Sequence, residues 1–120
     1  MKLPFEGKGA FNDAGIRFLI EKGLVQNTED TSVKPSSLDL TIIRESLMEV
    51  PFCFQASIKK SIAETLKEFR GRKLKDFILE PGRMYVAEVR EKVILPKELG
   101  VYAYANPKSS TGRADLHVRL

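Results

Sequence analysis

The sequence predicts a mainly β fold with two helices, arranged as a small distorted β barrel or jelly roll. Two stretches, at about residues 12–23 and 57–70, repeat apolar residues at helical spacing. Most other apolar residues alternate with polar ones in short runs, and pairs that contain Pro or Gly separate these runs. Many short strands with few helices are typical of small barrels and jelly rolls.

The first helix is predicted over residues 12–23. Asn12 or Asp13 can cap its N-terminus, and Gly23 can end it. One face of this helix is apolar, with Ile16, Leu19 and Ile20. The second helix is predicted over residues 57–70, where the apolar spacing is the same, with Ile58, Ile62, Leu66 and Phe69.

The first strand is predicted over residues 36–42, because Leu38, Leu40 and Ile42 alternate with polar residues in the pattern of a half-buried strand. Pro81 and Gly82 occupy the two central positions of a predicted type II turn, to which we assign no chemistry. The other predicted strands are residues 49–55, 77–79, 83–89, 93–95, 101–104 and 116–120.

The length and composition predict one domain over residues 1–120. Hydrophobic residues make up 42% of the 120 residues and charged residues 30%, which is ordinary for a globular protein. The predicted strands are few for a closed barrel, and the sequence stops within a regular β segment. We therefore expect this chain to be the N-terminal portion of the domain, truncated at its C-terminus.

The charge of the chain favours small anionic ligands. Its 20 Lys and Arg residues exceed its 16 Asp and Glu residues, for a formal net charge of +4. The basic residues are dispersed, so we expect neither a nucleic-acid partner nor a polybasic membrane anchor. Without an apolar N-terminal segment or an apolar run of membrane-spanning length, the protein is expected to be cytoplasmic.

The residue inventory excludes two kinds of catalytic site. His117 is the single histidine and Cys53 the single cysteine, so the chain cannot supply the three protein ligands of a zinc nucleobase deaminase. No G-x-S-x-G motif supports a Ser-His-Asp nucleophile. We interpret His117 as a strand-face residue and Cys53 as a buried, inert thiol. Glu88 and Glu91 are interpreted as flanking a strand junction without a special role.

Residues 106–115 carry the most chemical content. Hydroxyl groups, two cations and a glycine crowd one predicted turn that follows a strand, and such a cluster suits a phosphate group. The candidate phosphate-binding residues are Lys108, Ser109, Ser110, Thr111, Gly112 and Arg113. On composition alone, a polar turn with solvated charges is an equally good interpretation. The segment is not a P-loop, because its glycine follows the serine pair.

Four segments together resemble the dCTP deaminases of the dUTPase-like superfamily. They are P-S-S-L-D-L at 35–40, L-E-P-G at 79–82, E-K-V-I-L-P at 91–96 and P-K-S-S-T-G-R at 107–113. Their order and spacing match the family over nearly the whole chain. The P-K-S-S-T-G-R segment is most similar to the long two-domain bacterial members, whereas shorter members have R-S-S-x-x-R.

The resemblance implies a barrel that assembles into a homotrimer or pseudo-trimer, with dCTP and its Mg²⁺ ion bound at subunit interfaces. It implies that Ser109, Ser110 and Arg113 contact the triphosphate or help to polarise the reacting region, while Lys108 stands where shorter members often have Arg. Asp39 matches an acidic residue that supports the nucleotide or metal region. Without the resemblance, Asp39 is better interpreted as the exposed face of a strand. The remaining candidate supporting residues are Ser37 and Asp115.

The implied reaction is hydrolytic deamination of dCTP to dUTP, without a metal at the reacting carbon. The family's general base is a glutamate on a later strand, which we expect beyond Leu120. This chain therefore holds no predicted catalytic residue, and alone it is expected to bind nucleotide weakly if at all and not to deaminate it. Two alternatives remain: a dUTPase-type pyrophosphatase, against which Asp115 and the T-G-R sequence weigh, and a non-catalytic nucleotide-binding or assembly module.

Overall fold

The computed structural model describes residues 1–50, 64, 74, 76–114 and 116–118. These residues form two helices and four short strands in two small antiparallel sheets, without a closed barrel in the described ranges. The mainly β prediction with an incomplete barrel is thereby confirmed. The chain separates into two compact units, Ala10–Val93 and a second unit of Met1–Gly9 with Ile94–Leu120.

Helix α1 spans Asp13–Glu21 and confirms the first predicted helix. Its N-cap is Asn12, whose side-chain oxygen accepts a hydrogen bond of 3.0 Å from the N–H of Gly15. At the other end Gly23 adopts a left-handed φ of 72°. Its N–H donates to Ile20 O, and the next N–H donates to Leu19 O, as in a Schellman motif. Local signals alone determine both ends of this helix.

Strands β1 (Val25–Gln26) and β4 (Lys92–Val93) form the first sheet of the unit Ala10–Val93. They are antiparallel, with Val25 opposite Val93. Helix α1 packs against β1. The buried side chains of Ile16 and Leu19 from the helix and Val25 from the strand form the small core at this position.

Strands β2 (Met48–Val50) and β3 (Met84–Val86) form the second sheet, again antiparallel. The predicted turn before β3 is confirmed, since Gly82 has a φ of 74° and the N–H of Arg83 donates to Glu80 O over 3.3 Å. The Arg83 guanidinium also contacts the Glu49 carboxylate at 2.9 Å, which joins the turn to β2.

The predicted strand at residues 36–42 is wrong in its extent. Among the residues that the structure describes, this stretch makes only two isolated bridges, Val33 with Leu38 and Ile42 with Val89. The first bridge closes a tight hairpin, with the N–H of Lys34 bonded to Ser37 O. The N–H of Asp39 then bonds to Ser32 O, whereas the N–H of Thr41 bonds to the Glu91 side chain, so no continuous ladder forms. Ile42 is correspondingly 56% exposed instead of facing a core.

Other predicted strands are shorter than expected or absent. Residues 83–89 contain β3, and β4 covers part of the 93–95 prediction. Residues 77–79 are not a strand, because Phe77 adopts a left-handed φ of 56°. Residues 101–104 and 116–118 pair with no described segment, and a strand forms only where a neighbour supplies hydrogen bonds.

Several predictions fall outside the described residues. They include the end of the 49–55 strand, Cys53, and residues 119–120. The same holds for the 57–70 helix, of which Glu64 is the one described residue, and it is helical. Elsewhere, short 3₁₀ helices at Asp30–Ser32, Arg44–Ser46 and Lys97–Leu99 connect the elements.

Candidate functional site

The candidate phosphate-binding segment forms a short helix, α2, over Ser109–Arg113, where the sequence predicts a turn. Lys108 precedes it with extended backbone, and the N–H of Gly112 donates to Lys108 O over 2.8 Å. The N–H of Ala114 then donates to Ser110 O over 3.3 Å. Both hydrogen bonds join an N–H to the carbonyl four residues earlier, which is the helical pattern. Helical geometry in turn fixes the relative directions of the side chains.

The helical geometry places three of the candidate residues on one face. At 3.6 residues per turn, Ser109, Ser110 and Arg113 fall within an arc of about 100°. All three are exposed, whereas Thr111 lies on the opposite side and is half-buried. Two hydroxyl groups and one guanidinium therefore face solvent together. Thr111 contributes to the local fold instead, since its carbonyl accepts from the N–H of Leu116 at 3.3 Å.

The guanidinium of Arg113 is available for a ligand. Within the described part of the chain it forms neither an ion pair nor a side-chain hydrogen bond. An anion can therefore bind it without first breaking an existing contact. A planar guanidinium with parallel N–H groups is well suited to hold two oxygens of one phosphate.

Gly112 lies on the flank of this face and does not need to be glycine for backbone reasons. It has ordinary helical backbone, and a Cβ built on it would have only Pro107 Cγ near, at 4.0 Å. Its missing side chain therefore keeps the flank beside Arg113 open. Close approach of a ligand to the backbone is one use of such a position.

The candidate supporting residues Ser37 and Asp39 belong to the unit Ala10–Val93, whereas α2 belongs to the other unit. The Asp39 side chain is 24% exposed, and its carboxylate lies 4.0 Å from the Nζ of Lys34. Its N–H donates to Ser32 O over 2.9 Å, across the hairpin. Asp39 is thus partly covered and held by its backbone, not freely exposed. Asp115 falls outside the described residues.

Glu91 is the residue that sequence reasoning missed, and its interpretation as unremarkable is wrong. It is only 4% exposed, and one carboxylate oxygen accepts a 2.8 Å hydrogen bond from the N–H of Thr41. The other oxygen has no hydrogen-bond donor in the described residues and lies 3.6 Å from the Arg90 guanidinium. Its membership in the E-K-V-I-L-P segment was the one available sequence signal.

The environment of Glu91 favours its charged form. Burial by itself raises the pKa of this carboxyl group. Hydrogen bonds from the N–H groups of Thr41 and of Glu91 itself, the hydroxyl of Thr41 and the positive charge of Arg90 act in the opposite direction. The pKa of Glu91 consequently lies below its ordinary value of 4.5.

A shallow cleft of about 260 Å³ lies elsewhere in the unit Ala10–Val93. Arg17 and Asp30, two of the residues that line it, form an ion pair. The cleft is lined by Arg17, Ile20, Glu21, Thr28, Glu29, Asp30 and Val33, so none of the predicted site residues contributes to it. With both a cation and several carboxylates around it, the cleft has no clear preference for an anion.

Among the described residues, no group of three or more His, Cys, Asp or Glu side chains could hold a metal ion. In the same residues, no helix is both long enough and apolar enough to cross a membrane.

Comparison with known proteins gives one family. The family model described as 2'-deoxycytidine 5'-triphosphate deaminase (DCD) N-terminal domain matches residues 7–120. The match covers α1, both sheets and α2, together with the four sequence segments that resemble this family. No curated protein and no solved structure matches the chain.

Proposed function

The chain belongs to the family of dCTP deaminase N-terminal domains, and from this premise we propose that it binds the triphosphate of dCTP in an enzyme that hydrolyses dCTP to dUTP. The observation that carries the proposal is the exposed face of α2, where Ser109, Ser110 and Arg113 lie side by side. This face lies within the matched residues and presents the donors that phosphate oxygens require.

The proposal gives each α2 residue a role. Arg113 holds two oxygens of one phosphate group, and the hydroxyls of Ser109 and Ser110 donate to neighbouring oxygens. Lys108, which is exposed just before the helix, adds a second positive charge. Gly112 leaves room for the phosphate beside the backbone. Thr111, which is half-buried on the other side, stabilises the segment instead.

In the proposed reaction, water adds to C4 of cytosine, the exocyclic amino group leaves as ammonia, and the C4 carbonyl of uracil forms. A general base takes the proton from water, and preorganised donors stabilise the developing charge. By resemblance to the family, this base is a glutamate outside these 120 residues. The proposal therefore assigns substrate binding, and no proton transfer, to the residues of this chain.

We also propose that Mg²⁺ arrives with the nucleotide. Mg²⁺ is commonly held by one or two carboxylates together with substrate phosphates. The donor set of α2, which consists of hydroxyls and cations, fits the anionic oxygens of a triphosphate and not a metal ion. A metal bound through the triphosphate would lower the charge that Arg113 and Lys108 have to balance. A cytoplasmic homotrimer or pseudo-trimer remains part of the proposal.

The test is conversion of dCTP in the presence of Mg²⁺, measured by mass spectrometry of the nucleotide products. Both the 120-residue chain and the complete product of the gene are assayed, at equal concentrations of folded protein. We expect dUTP and an equal amount of ammonia from the complete product, and neither from the 120-residue chain.

The other outcomes separate the competing functions. Formation of dUMP and pyrophosphate from dUTP, with dCTP untouched, would replace the proposal with a dUTPase-type activity. Binding of dCTP without turnover by the complete product would favour a non-catalytic nucleotide-binding module. Ammonia release by the pure 120-residue chain would contradict the assignment of the general base to residues outside it.

A further inference from the structure

Two tyrosines that precede α2 in the chain have rings that lie open to solvent. Tyr102 is 78% exposed and Tyr104 is 83% exposed. Their ring centroids lie 6.4 Å apart and their planes meet at 82°, which is an edge-to-face contact. The ring that contributes its edge keeps both of its faces open. The pair therefore presents flat aromatic surface.

The third tyrosine, Tyr85, shows the difference between these rings and a structural one. Tyr85 is half-buried, and its hydroxyl accepts a hydrogen bond of 2.8 Å from the N–H of Glu80. Within the described part of the chain, the hydroxyls of Tyr102 and Tyr104 form no hydrogen bond. Among these residues, neither exposed ring has a core or a hydrogen-bonding role.

The tyrosine pair belongs to the same compact unit as α2, which consists of Met1–Gly9 and Ile94–Leu120. This unit holds six Lys and Arg residues against three Asp and Glu residues, so it carries three of the four net positive charges of the chain. Open aromatic rings in a cationic unit are complementary to a molecule that has both a flat ring and negative charge. A nucleotide has both.

The length of the connection limits how far the tyrosines can lie from α2. Tyr104 and Ser109 are five residues apart, so their Cα atoms are separated by at most about 18 Å. The length of an extended nucleoside triphosphate is of this order. A single nucleotide is therefore long enough to contact both α2 and a tyrosine ring.

We propose that the base of the bound nucleotide stacks on the Tyr102–Tyr104 pair while its triphosphate lies at α2. This inference rests on the proposed function, which assigns the phosphates to Ser109, Ser110 and Arg113. Stacking uses the π-face that every base has, so the pair contributes affinity and does not select cytosine.

The experiment compares two ligands of the complete product of the gene, with the affinities measured by calorimetry. One ligand is Mg²⁺-dCTP, and the other is an abasic deoxyribose triphosphate with Mg²⁺, which lacks only the base. Tyr102→Leu combined with Tyr104→Leu removes the aromatic faces and keeps apolar bulk. It should raise the Kd for dCTP about tenfold and the Kd for the abasic ligand less than about twofold, because only dCTP can stack. The affinity for dUTP should fall as much as that for dCTP.

Two further variants show whether the effect belongs to the ring faces. Tyr102→Phe combined with Tyr104→Phe keeps both faces and should keep the wild-type Kd for dCTP. Tyr85→Leu is the matched control, because it removes a tyrosine from the other compact unit, and it should change neither Kd. The thermal transition of each variant shows that the titrated protein is folded. If the double leucine variant does not fold, Tyr104→Leu alone replaces it.

The remaining outcomes separate the stacking role from the proposed function. A Kd for dCTP that is unchanged in the leucine variant, or that rises equally for both ligands, would overturn the stacking role and leave the proposed function intact. A change of oligomeric mass in solution with unchanged affinity would also overturn it, because another copy of the chain would then cover the rings. Failure of the wild-type protein to bind either ligand would overturn the proposed function, and the stacking role with it.

Discussion

Two parts of the molecule each contain an arginine beside hydroxyl groups, yet the two arginines differ in their contacts. One part is α2, and the other is the group of Asn27, Thr41, Arg90 and Glu91, which we call the strand switch because residues 88–93 change their pairing partner there. Arg90 is engaged with Glu29, Thr41 and the buried carboxylate of Glu91. Arg113 has no such partner in the described residues. The Arg90 guanidinium is thus paired within the fold, whereas the Arg113 guanidinium is the one that a ligand can contact without displacing a partner. Substitutions in the strand switch should therefore change stability, and those on α2 should change binding.

The largest expected effect is that of Glu91→Ala on stability. It removes the buried carboxylate that accepts from the N–H of Thr41 and that lies beside the Arg90 guanidinium, so the free energy of unfolding should fall by about 3 kcal/mol. Chemical denaturation of the purified variant measures this. Glu88→Ala is the matched control, because the Glu88 side chain is exposed. Glu88→Ala should change the free energy of unfolding by no more than about 0.5 kcal/mol. If both variants lower it equally, the buried contacts of Glu91 do not contribute more to stability than an exposed glutamate does.

The next effect is that of Arg113→Ala on nucleotide binding. Loss of the charged hydrogen bonds to phosphate should raise the Kd for Mg²⁺-dCTP by roughly thirtyfold, or about 2 kcal/mol, with the free energy of unfolding nearly unchanged. Arg113→Lys keeps the charge but not the paired donors, so its Kd should lie between those of the wild type and Arg113→Ala.

Lys97→Ala is the control for α2, since it removes an exposed cation from the same compact unit. It should leave the Kd unchanged at moderate ionic strength. If Lys97→Ala weakens binding as much as Arg113→Ala does, then the net charge of the unit binds the nucleotide, and α2 is not a specific site.

A smaller effect is expected for Gly112→Ala, where stability and binding should move in opposite directions. Alanine in place of a helical glycine should raise the free energy of unfolding by about 0.5 kcal/mol, because no close contact opposes the methyl group. The same methyl group should weaken binding of dCTP by a few-fold if phosphate approaches the backbone here. Binding that is unchanged or tighter would show that Gly112 is no part of the site.

The smallest effect, which acts on the strand switch alone, is the pH dependence of stability. The pKa of Glu91 is lowered in the folded protein, so its contribution is fully present above the ordinary value of 4.5. It should be lost as the pH falls through the lowered pKa. Glu91→Gln should therefore have a flatter stability profile than wild type below pH 4.5. Parallel profiles would mean that other carboxyl groups determine the acid sensitivity.

The difference between local contacts and contacts between distant residues explains which elements the sequence could predict. Helix α1 and the turn at Gly82 were predicted correctly because their signals are local: the Asn12 cap reaches three residues, and the glycines adopt the left-handed φ that few other residues tolerate. The face of α2 was predicted in its composition but not in its helical geometry. Five residues are too few for apolar periodicity to indicate a helix.

The strand switch could not be predicted in this way. The partner of Glu91 lies 50 residues away in the chain, and no periodicity around either residue indicates the contact. The 36–42 strand failed for the same reason, because the N–H of Asp39 bonds to Ser32 O and the N–H of Thr41 bonds to the Glu91 side chain, in two separate segments. Residues 91–96 were nonetheless one of the four segments that resemble the family, so this resemblance marked a position whose physical role only the structure shows.

We propose that dCTP binds through its triphosphate at the exposed face of α2. Hydrogen–deuterium exchange of the complete gene product, with and without Mg²⁺-dCTP, tests it most directly. We expect slower exchange in peptides that cover residues 106–114, and loss of that protection in Arg113→Ala. Protection confined to peptides around the cleft of Arg17 and Asp30, with residues 106–114 unchanged, would contradict it.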